Sequence, residues 1–262
     1  MIGFNHLGRH GRLGNQMFQY AGLRGIAAKH GYDFCIPPSD FKDEWTDHQL
    51  FECFKLPGLT NIAVCPGPYV QEGHFHFDQK LFDNMPDGHN VYGYLQSEKW
   101  FMHIESEIRE DFEFKNNIKD PCQEMIGSVD RPIALHVRRG DYITNCDNHP
   151  PCTKEYYDRA LSHFDDSRTV VVFSDDPAWC NEQFVDDRFL ISEGGDNVAD
   201  LCMMSLCTDF IIANSSFSWW GSWLSTNPDK KIIAPSKWFG TGYTKNHNTS
   251  DLYCTNWEVI DV

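Results

Sequence analysis

The sequence predicts an α/β protein whose C-terminal half is a doubly wound parallel sheet. Three observations carry this. Beyond Pro132, short apolar runs alternate with helical segments. The runs are apolar on both faces, as strands of a buried parallel sheet must be. Polar residues collect where three of the runs end, at His136 to Asp141, at Ser174-Asp175-Asp176 and at Asn214-Ser215-Ser216. Ligands of open α/β sheets bind just beyond the carboxyl ends of strands, so this clustering marks a site.

Taken in order, a short apolar start leads into Gly8-Arg9-His10-Gly11-Arg12-Leu13-Gly14-Asn15-Gln16. A helix opening at Asn15 and running to about His30 follows, with Met17, Phe18, Ala21 and Ala28 on its core face. Its free N–H groups and positive dipole end suit an anion. A tight strand-to-helix turn explains the same glycines, and neither the Gly-x-Gly-x-x-Gly nor the Gly-Lys-Ser/Thr fingerprint is present. From about 33 to 128 the pattern is irregular α/β. Strands are expected at Ile62-Ala63-Val64 and Val91-Tyr92-Gly93-Tyr94-Leu95, and an acidic helix from Trp100 to Phe112. The boundary falls in the stretch from Lys119 to Pro132, giving domains 1–128 and 129–262.

The second half then reads as strand 133–137, a helix from about Thr153 to Phe164, strand 169–174, and a short helix opening at Asp176-Pro177. A strand at Phe189-Leu190-Ile191, a helix from about Asn197 to Leu206, strand 209–213, a helix after Ser216 and strand 231–234 complete it. Trp219, Trp220 and Trp223 lie at spacings that bury them in the helix core rather than offer a sugar platform.

A net charge of −16 argues against non-specific binding of nucleic acid or anionic membranes, so any positive anion site must be local. No window reaches the roughly 18 uninterrupted apolar residues of a membrane span. With Met1 as the natural start and no secretory signal, a cytoplasmic location is expected, and the sequons at Asn214 and Asn248 are read as fortuitous. Ten scattered cysteines without a Cys-x-x-Cys pair are expected to be reduced core thiols, and Cys146 to Cys152 fits no familiar zinc spacing. His74 and His76 would share one face of a strand.

The candidate chemistry sits at the strand ends. Arg138 and Arg139, ahead of a glycine turn, suit a pyrophosphate, because guanidiniums grip phosphate oxygens bidentately and stay charged. Asp175 could accept from the paired donors of a guanine; helix capping by Asp175-Asp176-Pro177 competes with that reading, and one aspartate can cap while the other binds. Ser215 and Ser216 could hold phosphate at a helix start, or simply cap it. No Asp-x-Asp occurs, so positive side chains rather than a metal would neutralise a leaving diphosphate.

His136-Val137-Arg138-Arg139-Gly140-Asp141-Tyr142 and the run from Gly11 to Ala21 resemble glycosyltransferase family 11, the α-1,2-fucosyltransferases. So do Phe173 to Cys180, Ile211 to Leu224 and Ile233 to Phe239, in the same order along nearly the whole chain. The resemblance implies a GT-B fold of two Rossmann-like halves. It also implies metal-independent, inverting transfer of fucose from GDP-fucose to the 2-hydroxyl of a galactose-terminated oligosaccharide, without a cofactor. On matching positions, His136 and Asp175 would contact guanosine, Arg138 the β-phosphate with Arg139 close by, and Ser216 with the Phe217 amide would complete the cradle that Ser215 opens. Asn15 would approach the donor from the N-terminal, acceptor-side half. Asp141 is the nearest candidate for general base, with Glu155 a second, though Asp141 could instead anchor the turn. An acceptor carried on a glycolipid or O-antigen would bring peripheral membrane association. GDP-mannose as donor, another fucose linkage, and a non-catalytic GDP-sugar or carbohydrate-binding protein are the alternatives.

Overall fold

The structure, a computed structural model, describes residues 1–41, 47–193 and 195–262. Its contacts divide the chain into two units, residues 1–115 with 246–254, and residues 116–245 with 255–262.

The first unit is a five-stranded, all-parallel sheet of very short strands. In chain order it contains β1 (Ile2–Gly3), α1 (Leu13–His30), β2 (Phe34–Ile36), α2 (Leu50–Cys53) and β3 (Asn61–Ile62). There follow β4 (Tyr69–Gln71), α3 (Gln79–Asn84), β5 (Asn90–Tyr92) and α4 (Glu105–Asp111), and the sheet order is β3-β2-β1-β5-β4. Helix α1 is its spine. Residues on every side of it are buried, Gln16 and Gln19 included, so it reads as a core helix rather than a one-faced surface helix. It stops at Gly31, whose φ of +67° suits the left-handed cap that lets its N–H reach the carbonyls of Ala27 and Ala28. At Gly25 the helix backbone lies directly against the Trp100 carbonyl, leaving no room for a Cβ.

Three expectations for this half are corrected. The helix expected from Trp100 begins as two 3₁₀ turns and becomes α-helical only at Glu105. The sequence-adjacent Trp100 and Phe101 are both fully buried, which a helix with one apolar face does not accommodate. Neither expected strand keeps its full length. Val64 lies beyond β3, while Leu95 leaves β5 with a φ of +53°. His74 and His76 are not on a strand; the turn after β4 is pinned by the Gly73 N–H donating to Asp78 at 3.1 Å, and the two imidazoles stack at 3.6 Å.

The second unit contains α5 (Asn116–Gly127), β6 (Ile133–Val137), α6 (Lys154–Leu161), β7 (Val170–Ser174), α7 (Pro177–Gln183) and β8 (Phe189–Ile191). It continues with α8 (Asn197–Ser205), β9 (Asp209–Ile211), α9 (Ser216–Leu224), β10 (Ile232–Pro235) and β11 (Glu258–Ile260). All six strands are parallel, ordered β11-β10-β9-β6-β7-β8. Counted from β6 this is the doubly wound order 3-2-1-4-5-6, with its reversal between β6 and β9. Every residue of β6, β7, β9 and β10 is buried, as strands covered on both faces require. Thr153, Asp176, Asp196 and Ser215 cap the helices that follow them. Helix α5 packs on α8 and so belongs with this unit.

The tryptophan expectation holds: Trp219 and Trp220 are wholly inaccessible and Trp223 nearly so. None of the ten cysteines is in a disulfide, and Cys146 is the exposed one. Asn214 is buried and its amide donates to the carbonyls of Pro150 and Trp238, each at 3.0 Å, which removes it as a glycosylation site. Among the described residues no helix is long and apolar enough to cross a membrane.

Candidate active site

The site grows from the carboxyl ends of β6, β7 and β9. Register sets it up: Val137 pairs with Ser174, so the next residues out, Arg138 and Asp175, emerge side by side. Arg138 Nη1 lies 2.6 Å from Asp175 Oδ2, and its Nη2 meets the Asp141 carboxylate. The Arg138 guanidinium also stands 5.2 Å over the Tyr142 ring. Arg139 turns the other way. Its Nε lies 3.0 Å from Asp176 Oδ2, and its guanidinium stacks 4.3 Å from the Trp179 ring. The backbone is clasped as well, the Arg139 N–H donating to Asp175 Oδ1 at 2.9 Å, and a side chain at Gly140 would collide with that carboxylate.

The two aspartates divide their work. Asp176 caps α7 by accepting from the Trp179 N–H at 3.1 Å, and its hydrogen bond from Arg139 holds its carboxyl below the usual range. Asp175 is committed to the arginine turn through both oxygens.

The opposite wall is the start of α9. Ser215 has extended backbone and its Oγ accepts the Phe217 N–H at 3.3 Å, so that amide is already engaged by the cap. The Ser216 N–H, first in the helix, has no partner among the described residues and lies at the positive end of the dipole. Two contacts hold this wall to β6 and the turn that follows it. The His136 ring lies 5.3 Å from that of Phe217, and the Tyr142 hydroxyl donates to the Asn214 carbonyl at 3.1 Å. His136 is buried, its Nδ1 has no partner among the described residues, and burial, with Arg138 adding to it, pushes its pKa down to about 3. The ring is therefore neutral at physiological pH, able to hydrogen-bond a ligand without adding charge. Burial likewise pushes Tyr142 up to about 12.

The charges decide what this cluster can bind. Two guanidiniums face three carboxylates, yet the pairing is uneven: Arg139 is held by Asp176 and Trp179, whereas Arg138 reaches toward the exposed Asp141. An anion with two or more oxygens can displace Asp141 from Arg138 and gain the α9 N-terminus at the same time.

The structure thus brings together Arg138, Asp141, Asp175, Arg139 and His136 with Ser215, Ser216 and Phe217, while Asn15 lies in the first unit. There it accepts from Gln96 Nε2 at 2.7 Å, seated over Gly11, whose φ of +93° and lack of a Cβ make room for it. Asp141 is the anchor of Arg138 and Glu155 is exposed in the first turn of α6. Asp176, Trp179 and Tyr142 complete the site. The sequence marked Asp176 as a strand-end polar residue and possible cap but gave Trp179 and Tyr142 no site role, although Trp179 stands in the same Asp-Asp-Pro-Ala-Trp run.

A parallel sheet in 3-2-1-4-5-6 order, with an arginine turn and a helix start beyond its strands at the reversal, has the topology of the doubly wound α/β units that bind nucleotides. Comparison with known proteins narrows the class. The family model "Glycosyl transferase family 11" matches residues 69–261, and the chain belongs to that family. It is 30% identical to the O-antigen biosynthesis glycosyltransferase WbnK of Escherichia coli, over 94% of this chain and 97% of that protein. It is 29% identical to an α-1,2-colitosyltransferase of Escherichia coli, over 87% and 90%. It is 24% identical to galactoside α-(1,2)-fucosyltransferase 2 of Sus scrofa, over 82% and 68%. Among solved structures, POFUT1 in complex with GDP superposes with a TM-score of 0.59 at 13% identity, covering 89% of this chain and 97% of that one. The NodZ α-1,6-fucosyltransferase soaked with GDP-fucose gives 0.54 at 14%, over 85% and 91%. The fold is of the GT-B type, and the protein is a glycosyltransferase.

Proposed function

We propose that the protein transfers L-fucose from GDP-β-L-fucose to the 2-hydroxyl of a terminal galactose, with inversion and without a metal ion. The observation that carries the reading is the Arg138 guanidinium at the end of β6, set against the open start of α9 at the reversal of the sheet. The α-1,2 activities named for the relatives support the linkage, and the GDP complexes of the structural neighbours support the nucleotide.

On this reading the diphosphate takes Arg138 from Asp141 and receives the Ser216 N–H and hydroxyl, while His136 and Phe217 pack beside the nucleoside. As the acceptor oxygen bonds to the anomeric carbon from the face opposite the diphosphate, the bond to the leaving oxygen breaks and negative charge grows on GDP. Arg138 meets that charge more strongly in the transition state than in the ground state, which is what accelerates a reaction. Asp175 and the Arg139-Trp179-Asp176 stack hold the turn in place.

A colitosyl donor is the second reading, favoured by the 29% identity to the colitosyltransferase. One experiment separates the two: incubation with lactose and GDP-fucose, the nucleotide-linked colitose or GDP-mannose, with the product linkage assigned by NMR. An α-1,2-fucosylated product formed in preference to the others is expected. Preference for the colitosyl donor would replace the sugar, and GDP binding without any transfer would overturn the enzyme reading.

A further inference from the structure

Within the second unit, Tyr142 bridges the two walls of the site. Gly140–Tyr142 forms a single 3₁₀ turn after β6, and the Ile143 N–H donates back to the Arg139 carbonyl at 3.0 Å. The turn returns Tyr142 to Arg138, four positions before it, so that the guanidinium stands 5.2 Å over the phenol ring. At the far end of the ring the hydroxyl donates to the Asn214 carbonyl at 3.1 Å. Asn214 immediately precedes Ser215, the residue that caps α9. One aromatic side chain therefore spans from the arginine beyond β6 to the start of α9.

Both ends of this strut are braced by the same two loops, residues 145–152 and 236–243 of the second unit. The His149 ring stacks on Tyr142 at 5.0 Å and stands 5.4 Å from the Phe239 ring. The N–H groups of Gly240 and Gly242 clasp the loops together by donating to the carbonyls of Asn148 and Asp147, each at 2.8 Å. The approach is close: a Cβ at Gly240 would strike the Asp147 carbonyl, and one at Gly242 the Asn148 side chain. At the other end Asn214 is buried, and its amide donates to Pro150 in one loop and Trp238 in the other, each at 3.0 Å. Burial pushes the Tyr142 phenol up to about 12, so near neutral pH it keeps the proton that it donates.

We propose that Tyr142 is a positioning residue for the nucleotide diphosphate, holding the Arg138 guanidinium and the start of α9 at the separation the diphosphate needs; this rests on the diphosphate reading of the site given above. Tyr142 acts through Arg138 and the Asn214-Ser215 backbone and needs no contact with the ligand. Asp175 Oδ2, 2.6 Å from Arg138 Nη1, fixes the edge of the guanidinium, and the Tyr142 ring fixes its face. A tyrosine suits the task because it is a stiff spacer with only two rotatable bonds to order. Donors held in place beforehand cost no reorganisation as charge grows on the leaving group. Tyr142 therefore serves both the affinity for the nucleotide and its departure.

The test compares Tyr142→Phe and Tyr142→Leu with Tyr156→Phe. Tyr156 is the structural comparator, a fully buried tyrosine of the same unit whose hydroxyl donates to the Ile212 carbonyl at 2.7 Å. Each variant is measured for melting temperature and, well below it, for GDP affinity by calorimetry and for kcat in transfer to lactose. Tyr142→Phe keeps the ring and loses the tether, and should bind GDP about fivefold more weakly. Tyr142→Leu loses the ring as well and should bind about thirtyfold more weakly, with kcat falling alongside. Tyr156→Phe should lower the melting temperature and leave GDP affinity within about twofold of wild type. Tyr142→Phe within about twofold of wild type in GDP affinity and kcat, whatever its melting temperature, would overturn the proposal and leave the diphosphate reading standing. If Tyr142→Leu fails to fold, Tyr142→Phe decides. A wild type that binds no GDP overturns the underlying reading, and the role of Tyr142 with it.

Discussion

Arg138 and Arg139 are neighbours in sequence and opposites in environment. Arg138 is held by two carboxylates, one of them the exposed Asp141, whereas Arg139 is stacked on Trp179 and paired with Asp176. The sequence made the pair conspicuous but could not divide its labour, because the partners come from β7 and α7, more than 30 residues away. Asp141 pairs with Arg138, the anchoring role that the sequence reading set beside that of a base. His136 carries a prediction at this scale. Its folded pKa of about 3 lies below the unfolded value of 6.5, so between these pH values the unfolded chain takes up a proton that the folded chain refuses. Its contribution is complete above the unfolded pKa and is lost as pH falls toward the folded one, at up to about 1.4 kcal/mol per pH unit. His136→Gln should therefore lose less of its urea midpoint than wild type between about pH 7 and pH 5. An equal loss in both would contradict the buried, neutral imidazole.

Elements were legible where they are long and covered on both sides. Strands β6, β7 and β9, and the helices capped by Thr153, Asp176 and Ser215, follow from continuous apolar runs closed by capping residues. The first sheet was not, because its strands are two or three residues long, too short to show a period of two. Helix α5 was hidden by Pro121 within it, and β11 by the charged Glu258 on a strand with an exposed centre. Helix α1 was read as one-faced although it is buried on all sides. That burial makes Gly25 a point of contact rather than of flexibility. Ala is the better helix former in isolation, by about 1 kcal/mol, yet a methyl group here meets the Trp100 carbonyl, backbone that cannot rotate aside. Gly25→Ala should lower the melting temperature by several degrees, the cost of overpacking being about 1–3 kcal/mol. A raised melting temperature would mean that propensity outweighs the contact.

For the whole molecule, the net charge of −16 means that the diphosphate site of the proposed function has to be a local device, built from Arg138 and the start of α9. The proposed function makes a definite demand: the leaving diphosphate is to be neutralised by Arg138 and backbone, with no divalent ion. The measurement that tests it is kcat for GDP release with lactose, taken in EDTA and in magnesium or manganese, for the wild type and for Arg138→Lys. Wild-type turnover should be the same in all three solutions. The lysine variant, which keeps the charge and loses the bidentate grip, should fall by about a hundredfold or more and not be rescued by metal. Activity abolished by EDTA and restored by metal, together with a lysine variant close to wild type, would contradict it.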